Sequence, residues 1–269
     1  MAEQLNVAMI QMQVGKSLSD NLAVARQKCG EATALDAELI VLPEYFADMY
    51  GVGADPRDAD HPPQSVELDS ICTTLSEIAA QHKVTIHGGS FLERDGDHVY
   101  NTNPVYGPDG KLVTTYRKQH PFHCPVVPRG SGNAEIDFIT PGQTVSTYEI
   151  RGFRIGCAIC WDTRFPELFA AYRQAGCDLI LCPAVFFAEV PTDIAFWESL
   201  TGSCDRHRLL HRLCNHLRSN RSTHHLVKLS RASSLQWSHS PDRSDGWRFE
   251  ACRRSSSRFN SRNAPPIPS

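Results

Sequence analysis

The stretch "RIGCAICWDTRFPELFAAYRQAGCDLILCPAVF", residues 154–186, decides the fold class. It opens with an apolar run that stops at Cys160 and breaks into the polar turn Trp161-Asp162-Thr163-Arg164. "FPELFAAYRQAGC" then reads as a helix with Pro166 in its first turn, where the missing N–H costs nothing. "DLILCPAVF" returns to an apolar run that reads as a buried strand.

Working outward, the same alternation recurs. "LNVAMIQM" (5–12) is strand-like, and the polar segment after it places Leu22, Val24 and Ala25 at helical intervals, with Ser19 or Asp20 as candidate caps. "AELIVLPE" (37–44) is a continuous apolar run of the kind found in strands covered on both faces. "SVELDSICTTLSEIAAQHK" (65–83) is helical. "VTIHGGSFLER" and "VYNTNPVYGPDGKLVTTYRK" read as strands joined by "DGD" and "PDG" turns. "STYEIRGFRIGCAIC" holds a hairpin around Arg151-Gly152. Helices alternating with apolar strands predict an α/β protein with helices layered outside the sheets.

The chain has 269 residues and a formal net charge of −3. That total hides two unlike parts. Residues 1–200 hold 14 basic and 26 acidic side chains; residues 201–269 hold 13 and 4. The second part contains 14 Ser, 12 Arg and 6 His, but one valine (Val227) and one isoleucine (Ile267). Leu209, Leu213 and Leu217 are spaced for a short helix, after which no strand or helix period is visible. The terminal "RRSSSRFNSRNAPPIPS" has a disordered composition. The expected division is therefore a domain over 1–200 and an atypical Ser/Arg/His-rich tail over 201–269, disordered or read out of frame.

No apolar run is long enough to suggest a transmembrane helix, and the N-terminus lacks a basic n-region and cleavage site. The expectation is a cytoplasmic protein with reduced thiols. Cys157 and Cys160 form a CxxC with no second pair to complete a zinc site. His207 and His211 are spaced HxxxH but lie far downstream, so no metal is expected. The basic tail could contact phosphates, yet it carries few aromatics and no visible RNA-binding fold. Nucleic acid is not the expected partner.

Three polar residues stand at the ends of apolar runs, where α/β proteins gather their sites: Glu44, Lys118 and Cys160. Each alone has an ordinary reading, as a solvated strand-end charge or a core thiol. Together they make a chemistry. A carboxylate can take a thiol proton, a thiolate can attack an electrophilic carbon, and an ammonium can steady the oxyanion that forms. Cys157, deeper in the run, reads as core.

"LPEYF", "YRKQHPF" and "CWDTRFPEL", in that order, resemble the three signature segments of the nitrilase, or carbon–nitrogen hydrolase, superfamily. "VAMIQM", "YNTNPVYGPDGKLV", "FITPG" and "CDLILCPAVF" match its supporting segments. The resemblance spans roughly residues 5–200. It implies an αββα sandwich, incomplete here at its C-terminus, with no cofactor and a homodimeric assembly. It places the family's Glu, Lys and Cys on Glu44, Lys118 and Cys160, and a second glutamate on Glu135 in "GNAEIDF". It implies hydrolysis of a small amide through a cysteine thioester, with Lys118 and the Trp161 N–H as oxyanion hole.

Asp162 and Arg164 are candidates to orient the turn or pair with each other, Asn101 to brace the site, and Tyr45 and Trp161 to line the pocket. His120 and His123 receive no role. "AFWES", with Trp197 and Glu198, resembles a helix near the family's pocket mouth. The turn "CWDTRFPEL" resembles amidase-like branches; nitrilase or N-carbamoyl amidohydrolase activity is the alternative. A non-catalytic scaffold is the alternative of another class. An out-of-frame tail would leave the sandwich without its last strands, with an exposed sheet edge and impaired folding or turnover.

Overall fold

The computed structural model describes residues 4–15, 17–47, 65–123, 135–185, 223–230 and 250–251. For 65–67, 223–230 and 250–251 the backbone path alone is described. The helix expected at Trp197 and Glu198, the leucine series from Leu209 to Leu217, and the terminal segment 253–269 lie outside these residues.

The elements run β1 (Gln4–Gln11), α1 (Leu18–Thr33), β2 (Leu39–Val41), α2 (Ser65–His82), β3 (Thr85–His87), β4 (Phe91–Asp95), β5 (His98–Tyr106), β6 (Leu112–Arg117), a 3-10 turn (Glu135–Asp137), β7 (Thr147–Ile150), β8 (Phe153–Cys157), a second 3-10 turn (Cys160–Arg164), α3 (Pro166–Gln174), β9 (Leu179–Leu181), β10 (Thr223–Ser230) and β11 (Glu250–Ala251). The larger sheet has the order β11-β10-β1-β2-β3-β5-β4, with β6 also paired to β5; the smaller is β7-β8-β9. β1, β2 and β3 run parallel, as do β8 and β9 on either side of α3.

Side-chain alternation along the strands builds four layers. Ala8, Ile10, Ile40 and Ile86 face α1 and α2, meeting Leu22, Ala25, Cys29, Leu75 and Ile78. Leu5, Val7, Met9, Leu39 and Val41 face the other way, onto Tyr148, Phe153, Ile155, Leu179 and Leu181 of the small sheet. The outer face of that sheet packs Ile180 against Leu168, Phe169 and Tyr172 of α3. The order is helices, sheet, sheet, helix: the expected αββα sandwich. Each buried aliphatic or aromatic side chain contributes roughly 1.5–3 kcal/mol.

The turns fall where expected. Gly96 and Gly110 take positive φ in the "DGD" and "PDG" turns, and Arg151-Gly152 turns the β7–β8 hairpin. The cap of α1 differs: it is Ser17, in an extended conformation, whose Oγ accepts from the Asp20 N–H at 3.3 Å. The helix begins at Leu18, so Ser19 and Asp20 are already inside its first turn.

Among the described residues the outer edge of β1 is covered, where an out-of-frame tail would leave a sheet edge exposed. Thr223–Ser230, from the atypical segment, lies antiparallel along all eight residues of β1. The free edge of β1 is a template for any extended backbone, and "HLVKL" can supply one despite the low Val and Ile content around it.

Candidate active site

Glu44 lies three residues past β2, Lys118 one past β6, and Cys160 three past β8. The sandwich brings all three to one end of the inter-sheet layer. Close backbone approaches hold two of them. Gly89, at φ 65°, sits where a Cβ would lie 2.1 Å from the carbonyl oxygen of Pro43, the residue before Glu44. Gly142 sits where a Cβ would lie 2.0 Å from the carbonyl oxygen of Arg117, the residue before Lys118, and its N–H donates to the Lys118 carbonyl at 2.8 Å. A side chain at either position would push a charged group out of place.

The Lys118 ammonium lies between two carboxylates, 2.9 Å from Glu44 Oε1 and 2.6 Å from Glu135 Oε2. Glu44 and Lys118 are each 1% exposed. Asn101 Nδ2 lies 3.0 Å from Glu44 Oε1 and 3.1 Å from Glu135 Oε1, spanning both. The Tyr45 hydroxyl donates to Glu135 Oε1, and the Phe122 N–H donates to Oε2 at 2.6 Å. The Val185 N–H donates to Glu44 Oε2 at 2.7 Å. The Cys160 thiol approaches the Val185 carbonyl at 3.7 Å and lies within the electrostatic reach of Glu44, Lys118 and Glu135.

The electrostatics separate the two carboxylates. Burial pushes Glu44 above the ordinary carboxylate value, and the Lys118 charge does not fully offset it. Burial acts on Glu135 too, but Lys118 and the donors from Lys118, Tyr45 and Phe122 outweigh it and hold Glu135 below that value. Lys118 is held well above its usual value: desolvation opposes its charge, and Glu135, Glu44 and Cys160 override it. Burial and then the Glu44 charge push the Cys160 thiol up, against the pull of Lys118. The resting arrangement is a neutral thiol beside a carboxylate of raised basicity.

Cys160 has φ 44°, in the left-handed region, at the first residue of a tight turn. Its N–H donates to the Pro183 carbonyl at 2.9 Å, and its carbonyl accepts from Thr163 Oγ1 at 2.8 Å. Asp162, fully buried, accepts from the Ile159 N–H at 2.8 Å and the Tyr116 hydroxyl at 2.7 Å on Oδ2. On Oδ1 it meets the His120 N–H at 3.0 Å and His120 Nδ1 at 2.7 Å. Asp162 thus ties the turn to the segment carrying Lys118. The Arg164 guanidinium lies 5.3 Å from the Trp161 ring centroid, and Phe122 meets Trp161 edge-on at 4.9 Å.

Residues 6–212 match the carbon–nitrogen hydrolase family. The chain belongs to that family. The match runs past Leu200. Among curated relatives of this carbon–nitrogen hydrolase, the omega-amidase NIT2 of Homo sapiens is 37% identical over 198 residues, covering 73% of this chain and 68% of the relative. The omega-amidase NIT2 of Danio rerio is 36% identical over the same length and shares. An amidase from Nesterenkonia sp. superposes with TM-score 0.67 at 19% identity, over 79% of this chain and 76% of its own. A Saccharomyces cerevisiae member of branch 10 of the nitrilase superfamily gives TM-score 0.67 at 24% identity, over 87% and 82%. These likenesses carry the fold.

Glu44, Lys118, Cys160, Glu135 and Asn101 converge in space. Tyr45 reaches the cluster through its hydroxyl, beyond the pocket-lining position expected of it. Cys157 is core, as expected, with its thiol pushed up by burial. Sequence reasoning passed over Tyr116, His120, the Phe122 N–H and the Val185 N–H. Tyr116 and His120 act through Asp162, and the other two are backbone N–H groups, so the residue pattern held no signal for them.

Proposed function

We propose that this chain hydrolyses the C–N bond of a small amide through a thioester on Cys160. Glu44 takes the Cys160 proton, and the sulfur attacks the amide carbonyl carbon. Lys118 and the Trp161 backbone N–H hold the oxyanion of the tetrahedral intermediate. Collapse breaks the C–N bond, and Glu44 returns its proton to the departing ammonia or amine. Glu44 then takes a proton from water, which attacks the thioester; the acid leaves and the thiol is restored. Glu135 and Asn101 hold Lys118 and Glu44 in register, Asp162 and Arg164 support the turn, and Tyr45 and Trp161 border the pocket. No cofactor enters any step.

The observation that carries this reading is the Glu44 carboxylate bonded to the Lys118 ammonium at 2.9 Å, with the Cys160 thiol buried beside them and subject to both charges. Base, nucleophile and cation share one hub. The relatives named omega-amidases favour an amide over a nitrile. The six described cysteines are unpaired thiols, which supports a reducing, cytoplasmic setting. The family resemblance supports a homodimer, to be measured by light scattering.

Ammonia release from a panel of small amides tests the reading. Cys160→Ala is expected to abolish release. Mass spectrometry of the wild type after mixing with an amide is expected to find an acyl adduct on Cys160 and none on Cys157. Turnover that survives the substitution would overturn the assignment.

A further inference from the structure

Tyr116, Lys118, His120 and the Phe122 N–H all contact the site, and His120 is an ionisable side chain among them that the proposed mechanism leaves unused. We infer that His120 is a positioning residue: through its Nδ1–H bond to Asp162 it fixes the Cys160 turn against the strand that delivers Lys118. The inference rests on the assignment of Cys160 and Lys118 above.

The geometry is specific. Tyr116 and His120 flank Lys118 at two residues on either side, and both bond to Asp162, at 2.7 Å to Oδ2 and 2.7 Å to Oδ1. Asp162 in turn accepts from the N–H of Ile159, the residue before the nucleophile, at 2.8 Å. A continuous path therefore runs from the Lys118 segment through one buried carboxylate to the backbone next to Cys160. With Asp162 as carboxylate, Nδ1 carries the proton. The imidazole is fixed in its plane by Phe165, whose ring stacks on it at 3.6 Å with 9° between planes. Phe165 closes the far end of the same turn. His120 thus holds the turn at both ends, with its side chain 26% exposed, while Lys118 two residues earlier reaches the thiol's base. Residues this close to a reacting centre matter because a displacement of about 1 Å can cost on the order of a hundredfold in rate.

The test separates the bond from the stack. His120→Asn keeps a donor, its Nδ2 falling where Nδ1 lies, and loses the ring. His120→Phe keeps a ring for Phe165 and loses the donor. His120→Ala loses both. The first readout is the rate of iodoacetamide alkylation at Cys160, mapped by peptide mass spectrometry in full-length protein whose folding is checked by thermal melting. The second is kcat and KM for the best amide. His120→Phe and His120→Ala should slow Cys160 alkylation and lower kcat by about tenfold to a hundredfold with KM little changed. His120→Asn should recover most of both. If His120→Phe alkylates as fast as the wild type, or His120→Asn is as slow as His120→Ala, the inference is wrong. Should His120→Ala fail to fold, the Asn and Phe pair decides alone. A wild type that turns over no amide would defeat the amidase reading, and the alkylation comparison would still decide the role of His120.

Discussion

The loop after β2 and the 3-10 turn at Glu135–Asp137 deliver the same functional group to the same lysine, yet the two carboxylates are set apart. Glu135 accepts from Lys118, Asn101, Tyr45 and the Phe122 N–H, so every donor around it favours its charge. Glu44 accepts from Lys118, Asn101 and the Val185 N–H, and its remaining neighbour is a thiol with a proton to give. Both are buried. The difference in partners holds Glu135 low as a counter-charge to Lys118 and leaves Glu44, raised by burial and by the Glu135 charge, suited to the role of base proposed for it. Donor count, more than burial, divides the labour.

The contrast can be broken at each side. Glu44→Gln removes the base and should lower kcat by about 10³ to 10⁴; a variant within tenfold of wild type would mean that another group takes the proton. Glu135→Gln leaves the base in place and should cost less, about a hundredfold, through a displaced Lys118. It should also shift the pH profile. Activity rises with pH as Glu44 ionises, above the ordinary value of 4.5. Removing the like charge of Glu135 lowers that value, so the acidic limb should move to lower pH. A limb that stays put or moves up would show that Glu135 does not set the basicity of Glu44. Tyr45→Phe deletes one donor to Glu135 and should reduce kcat by about tenfold or less.

Stability offers a fourth measure. Glu135 has a depressed folded value, so its contribution is fully present above the unfolded value near 4.5 and is lost as pH falls through the folded one. The melting-temperature gap between wild type and Glu135→Gln should close in that acidic window. A gap that widens there would reverse the sign of the argument.

Most of the sandwich was legible because its strands are read by composition. "AELIVLPE" is buried on both faces, and the structure divides it accordingly: Ile40 and Leu42 toward the helices, Leu39 and Val41 toward the second sheet. The hairpin at Arg151-Gly152 and the proline-started α3 were equally plain. Glu44, Lys118 and Cys160 were legible as candidates because a polar side chain at the end of an apolar run is conspicuous. The donors that tune them were not. The Val185 and Phe122 contributions are backbone N–H groups, which carry no residue signature. His120 and Tyr116 acquire meaning through Asp162, forty-odd positions along the chain. The strand at Thr223–Ser230 was missed because edge pairing asks only for extended backbone.

The left-handed backbone at Cys160 has a consequence for durability. A non-glycine residue in that region carries about 1–3 kcal/mol of strain; the Cys160 N–H donating to the Pro183 carbonyl, the Thr163 hydroxyl donating to the Cys160 carbonyl, and Asp162 accepting from the neighbouring Ile159 N–H keep it there. A chain chosen for endurance alone would put glycine at position 160. Cys160→Gly should therefore outlast the wild type on heating, and whatever margin separates the two curves measures how far sturdiness has been given up to present one sulfur atom.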